Sequence, residues 1–226
     1  MWFILAQAHD ATARAASMSL MWTQRFAPTL DTTRPAVMQA HGLRAGPEGS
    51  VLQSGLDLVI PAGLSAIVGG EGRGKTHLLH VLCGLAAPQA GEVSRVSCCC
   101  LDLRLPHDDA HTPEQVWQAL RAQHPAWDPG LQDALVDALG LKAHLGKALF
   151  QLSTGSRRKV GLVASLASGA TVTGLDQPCI ALDMASVAVL QEVLSEASEH
   201  PRRAWLVADH EADAALPWAS IIDLGE

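Results

Sequence analysis

Gly69-Gly70-Glu71-Gly72-Arg73-Gly74-Lys75-Thr76 fits the spacing G-x-x-x-x-G-K-[ST], and it lies between two segments of different period. Ahead of it, Ser65-Ala66-Ile67-Val68 is a short apolar run that reads as a buried strand. Behind it, Leu78, Leu79, Val81, Leu82 and Leu85 recur at helical spacing between Thr76 and Leu85, with Gly84 near the end. Strand, glycine-rich turn and helix is the setting in which such a loop binds phosphate. The glycines let successive N–H groups converge on phosphate oxygens, and the helix presents its positive end to the same anion. In that setting Lys75 reaches the β- and γ-phosphates as a point charge, and the Thr76 hydroxyl ligates Mg²⁺.

Outward from the loop, Val51 to Ile60 alternates in part and ends in the turn Pro61-Ala62-Gly63. Thr112-Pro113-Glu114-Gln115 predicts a helix start, with Thr as N-cap, Pro at the first position and Gln three residues after the cap. Asp128-Pro129 opens a second helix, with Leu131, Leu135, Val136 and Leu139 as its stripe and Gly140 as its stop. A third helical stretch begins near Ser153 and carries Val160, Leu162, Val163 and Leu166. Strands are predicted at Ala170 to Leu175, Ala204 to Ala208 and Ile221-Ile222, with a helix from Met184 to Glu199. Helices alternating with short apolar strands imply a parallel sheet covered on both faces.

Composition bounds the partners. The 226 residues are 48% hydrophobic and 17% charged, which is globular, and the formal charge of -7 argues against a nucleic-acid-binding face. No apolar run is long enough to span a bilayer; Trp2 to Ala6 is broken by Gln7, His9 and Asp10, and no positive charge precedes it. Residues 1–36 show no clear period and read as a poorly ordered extension. A docking segment using Trp2, Phe3, Trp22 and Phe26, or a true start at Met18 or Met21, are the other readings. Five cysteines without a secretory signal point to free thiols. Cys98-Cys99-Cys100 alternate across a strand, so small buried residues are a better reading than a metal site completed by His107 and His111.

Several further stretches, in order, resemble the nucleotide-binding domain of ABC transporters. Leu78-Leu79-His80-Val81-Leu82-Cys83-Gly84-Leu85 is similar to the helix after the family's Walker A loop. Leu152-Ser153-Thr154-Gly155-Ser156 resembles the LSGGQ signature, Leu175-Asp176-Gln177-Pro178 the Walker B ending, Ala181-Leu182-Asp183 the D-loop, and Val207-Ala208-Asp209-His210 the stretch ending in the switch histidine. The resemblance runs from about Val37 to the end. It implies an α/β P-loop NTPase fold with a mostly parallel sheet, a small antiparallel β part and a helical insert at about 101–155, within a domain spanning 37–226.

For function the resemblance implies an ATP-binding subunit that couples ATP hydrolysis to transport by a separate membrane permease. Its place would be in the cytoplasm, peripheral on the inner face of the cell membrane. The implied nucleotide set is Gly69, Gly70, Glu71, Gly72, Arg73, Gly74, Lys75, Thr76 and His77, with Thr76 and Asp176 for Mg²⁺ and Gln177 and His210 as catalytic residues. Ser153 and Gly155 would meet the γ-phosphate held by a second nucleotide-binding domain. Arg157, Arg158 and Lys159 read as a solvated face, and the remaining histidines as surface or helix residues.

Four departures temper the activity. Gln177 stands where the family usually has Glu, and an amide orients a water without accepting its proton, so slow hydrolysis is expected. Thr154 and Ser156 replace the first signature Gly and the Gln. The A-loop aromatic is missing near Arg44-Ala45-Gly46 in a chain without tyrosine, although an Arg can stack on a base. No Q-loop Gln falls near Leu101 to Arg104, where Asp102 is the nearest metal-capable residue. These departures support a second class, an ABC-type ATP-binding switch or scaffold with little hydrolysis. A DNA-maintenance head is the weakest reading, for want of a long coiled-coil insert.

Overall fold

The computed structural model describes residues 29–46, 52, 54–101 and 109–225. Trp2, Phe3, Met18, Met21, Trp22 and Phe26 lie outside that range, as do Val51, Asp102 and His107.

The central sheet follows from the short apolar runs. β4 (Gly63–Val68) is buried along its whole length and lies between β8 (Ala204–Ala208) and β9 (Trp218–Asp223), parallel to both. β7 (Val172–Asp176) pairs parallel with β8, and β6 (Cys98–Cys100) pairs parallel with β7. β1 (Thr29–Leu30) adds antiparallel to β9, giving the order β1-β9-β4-β8-β7-β6. β2 (Ala36–Arg44), β3 (Leu56–Pro61) and β5 (Ala90–Val93) form a separate antiparallel sheet in the order β3-β2-β5. The parallel sheet is the one the pattern of elements implied, and the small antiparallel part is the one the resemblance implied.

The sheet divides the core by its period of two. On one face, Ile67, Val172, Leu206 and Ile222 pack against α1 (Lys75–Leu82) and the antiparallel sheet. On the other, Leu64, Leu175, Trp205 and Val207 meet α2 (Pro113–Arg121), α3 (Pro129–Ala138), α4 (Thr154–Ala167) and α5 (Met184–Ala197). The caps expected from sequence start α2 and α3. Gln115 N donates to Thr112 Oγ1 (3.4 Å) and Thr112 N to Gln115 Oε1 (2.9 Å), while Leu131 N donates to Asp128 Oδ1 (2.9 Å). Fully buried Trp117 in α2 donates its Nε1–H to Val160 O (3.0 Å), which ties the helical insert to α4.

One stretch differs from the sequence reading. The chain joins the fold ahead of Val37, since β1 pairs with β9 and Asp31 N donates to Ala219 O (2.8 Å). Asp31 turns the chain there by accepting from Thr33 N (3.0 Å), and Arg34 donates to Ser198 O. Within the partly alternating stretch Val51 to Ile60, the strand β3 covers Leu56–Pro61, and Val51 itself lies outside the described residues. The cysteine run does alternate. Cys99 and Cys100 are buried, and burial pushes the Cys99 thiol up to about 11. Hydrogen bonding to Cys100 and then Cys98 holds the Cys83 thiol well above its ordinary pKa, in the space left by Gly174.

Candidate functional site

The glycine-rich loop runs from the end of β4 into α1, and its conformation depends on its glycines. Gly74 is the N-cap of α1 with φ 94°, a left-handed value, and a Cβ there would stand 2.7 Å from Leu52 Cδ1. No side chain caps α1 and no acidic residue sits in its first turn, so its N-terminal N–H groups carry no side-chain cap and are available to an anion. Gly69 N donates to His210 O (3.3 Å) and Gly70 N to Gly225 O (2.8 Å), which anchors the loop to the strand ends. Lys75 Nζ donates to the carbonyls of Gly69 and Gly70, 2.7 Å each. The ammonium therefore folds back over the loop, where a phosphate would share it.

β7 and β8 bring the second wall. Thr76 Oγ1 donates to Asp176 Oδ2 (3.0 Å), joining the start of α1 to the end of β7. Gln177 N donates to Ala208 O (2.8 Å), and the Gln177 side-chain nitrogen lies 3.2 Å from His210 Nε2. The amide N–H donates when the ring carries its proton on Nδ1. Gln177 has φ 45°, a left-handed value for a residue with a side chain. These groups close a cleft of about 550 Å³, with Glu71, Gly72, Gly74, Lys75, Thr76 and His77 on one wall and Gln177 and His210 on the other.

His80 also lines this cleft. The sequence reading left it among helix residues, yet its place was legible, because residue i+4 from Thr76 stacks on the same helix face. Ser153 and Gly155, by contrast, are not in the cleft of their own chain. Ser153 caps α4, accepting from Ser156 N (3.1 Å), and Gly155 lies under the D-loop, where a Cβ would stand 2.5 Å from Ala181 O.

The basic run after the signature is not a solvated face; all three side chains are half-buried and turned inward. Arg157 pairs with Asp109 (3.0 Å) and donates to Leu149 O (3.0 Å). Arg158 donates to the carbonyls of Asp176 (2.7 Å) and Gln177. Lys159 donates to Leu139 O (3.2 Å) and pairs with Asp183 (2.7 Å), the N-cap of α5. Carbonyls at the ends of neighbouring elements attract these cations, a demand that periodicity does not reveal.

Lys159 and the Ser186 N–H and hydroxyl hold the Asp183 carboxyl well below the usual aspartate range. A depressed folded-state pKa contributes stability that is present above the unfolded value of about 3.9 and lost as pH falls through the folded one. Melting temperature is therefore expected to fall on acidification below about pH 4. Lys159→Met should show a smaller acid-linked fall, measured by circular dichroism between neutral pH and that range. An unchanged acid slope would contradict the pairing.

Residues 55–180 match the ABC transporter family. The cytochrome c biogenesis ATP-binding export protein CcmA of Aromatoleum aromaticum is 37% identical over 195 residues, covering 78% of this chain and 89% of the relative. The protein of the same description from Pseudomonas syringae pv. tomato is 34% identical over 183 residues, 74% of this chain and 85% of its own length. Among solved structures, an ABC transporter ATP-binding protein from Pyrococcus furiosus superposes with a TM-score of 0.67 at 20% identity, over 83% of this chain and 96% of the other. At that identity the likeness speaks for the fold.

Proposed function

The chain belongs to the ABC transporter family, as an ATP-binding subunit with ATPase activity, and on that footing we propose that it drives transport through a separate membrane permease. The observation that carries this reading is the cleft where Lys75 and Thr76 at the start of α1 meet Asp176, Gln177 and His210 at the ends of β7 and β8. Among the described residues no helix is long and apolar enough to cross a membrane. The relatives' names supply the transport task, export in cytochrome c biogenesis, and they do not favour a scaffold with little hydrolysis. The subunit would work in the cytoplasm, on the inner face of the cell membrane, and its nucleotide-binding domain, expected from residue 37 onward, would take in β1 as well, since β1 pairs with β9.

In this mechanism the phosphates of ATP lie over Gly69 to Thr76. Lys75 exchanges the Gly69 and Gly70 carbonyls for β- and γ-phosphate oxygens, and the first N–H groups of α1 hold the same anion. Glu71, Arg73 and His77 border the phosphates. Thr76 Oγ1 and Asp176 Oδ2 are the hard oxygen donors that suit Mg²⁺. Bound there, Mg²⁺ would neutralise phosphate charge. Gln177 orients the attacking water without accepting its proton, and His210, which shares a hydrogen bond with it, steadies the amide and faces the γ-phosphate. Ser153 and Gly155 at the start of α4 serve the nucleotide of a second nucleotide-binding domain, a reading supported by their position outside their own chain's cleft. The test is to purify the full chain from membranes. A multi-span protein should accompany it, and magnesium-dependent phosphate release from ATP should be measurable. An active chain that never associates with a membrane protein would overturn the permease partnership.

A further inference from the structure

Asp176 and Gln177 close β7 in a turn whose backbone is under strain. Pro178 follows Gln177 and disfavours the right-handed helical region for it. A following proline favours extended backbone, yet the residue adopts φ 45°, a left-handed value sparsely populated by residues with a side chain. Such a conformation persists only where its surroundings hold it. The Gln177 N–H is held by Ala208 O at 2.8 Å, and Ile180 N donates back to Gln177 O at 3.2 Å. A further hold comes from α4: the Arg158 guanidinium donates to both Asp176 O (2.7 Å) and Gln177 O.

From these contacts we infer that Arg158 is a positioning residue for hydrolysis, pinning the two carbonyls that aim the Gln177 side chain at His210 and the attacking water. The inference rests on the proposed water-orienting role of Gln177. One guanidinium nitrogen, Nη2, reaches both carbonyls, and its two N–H groups can serve one acceptor each while the planar group holds them in a fixed direction. Its side chain borders a cavity of about 320 Å³ shared with His80, Thr154 and Asp176, so the hold lies between the signature end of α4 and the cleft. A misplacement of about 1 Å at a reacting centre can cost on the order of 100-fold in rate.

The experiment is a double-mutant cycle on the purified full chain, reading steady-state ATP turnover, KM for ATP and melting temperature. Arg158→Ala is expected to lower kcat about tenfold or more with KM within about twofold, and millimolar guanidinium should restore part of the loss through the open cavity. Arg158→Lys should keep an intermediate rate, since an ammonium retains the charge and donors but sits on a flexible stem without the rigid guanidinium plane. In a Gln177→Ala background, already slow, Arg158→Ala should cost less than about twofold more, because the group it aims is gone. Equal losses in both backgrounds, or a fall in affinity and melting temperature together without guanidinium rescue, would show ordinary structural support and overturn the inference. If Gln177→Ala is slow and Arg158→Ala is fully active, the inference fails while the Gln177 reading stands. If Gln177→Ala is itself fully active, both fail.

Discussion

Lys75→Ala is expected to weaken ATP binding about 10- to 100-fold, read by isothermal titration of the full chain with ATP. The estimate follows from one lost charge-assisted contact, about 1.5–3 kcal/mol, at 1.4 kcal/mol per tenfold. Two features of the site bear on it. The ammonium is held over the loop by Gly69 O and Gly70 O, and phosphate binding exchanges those acceptors for phosphate oxygens. It is also buried, so no bulk water replaces it cheaply when it is removed. Because the substitution strips a donor from two loop carbonyls, the melting temperature of the variant is measured beside its affinity. Lost affinity with melting little changed assigns the effect to the phosphate contact; unchanged ATP affinity would sink the phosphate-site reading.

The phosphate loop was legible because its constraints are local. Glycine spacing, the lysine and the flanking periods all sit within one strand–turn–helix unit, and the caps at Thr112 and Asp128 were legible for the same reason. What stayed hidden depends on tertiary contacts. β1 is a two-residue edge strand with no period to read, and it exists because β9 offers a partner. Arg157, Arg158 and Lys159 looked like a solvated run, and only the fold brings the carbonyls of Leu149, Asp176 and Leu139 to them. Ser153 and Gly155 matched a motif, yet they do not line the cleft of their own chain, and only the proposed second nucleotide-binding domain would give that motif a phosphate to meet.

The substitution that probes the chemistry most directly restores an acid side chain. Gln177→Glu is expected to raise ATP turnover by about 10² to 10⁴, the usual worth of a general base, which is about 2.7–5.5 kcal/mol of barrier. The change is nearly isosteric, and the backbone that aims the side chain is untouched, since the Arg158 and Ala208 contacts engage only main-chain atoms of Gln177. What changes is proton bookkeeping. The amide can hold a water by donating to or accepting from it, but it cannot carry away the proton released as the water attacks; a carboxylate can. The pH profile separates this from a simple rise in affinity. Turnover of the Gln177→Glu protein should acquire an acid limb as the new carboxylate protonates, and its KM for ATP should stay close to that of the natural chain. The rate is measured as phosphate release from the full chain with its membrane partner, with Lys75→Ala as the blank. If turnover stays within about twofold of the natural chain, Gln177 is not what limits hydrolysis, and the proton must leave by a route that bypasses residue 177, with the His210 imidazole, 3.2 Å from the Gln177 side-chain nitrogen, the proton acceptor to examine.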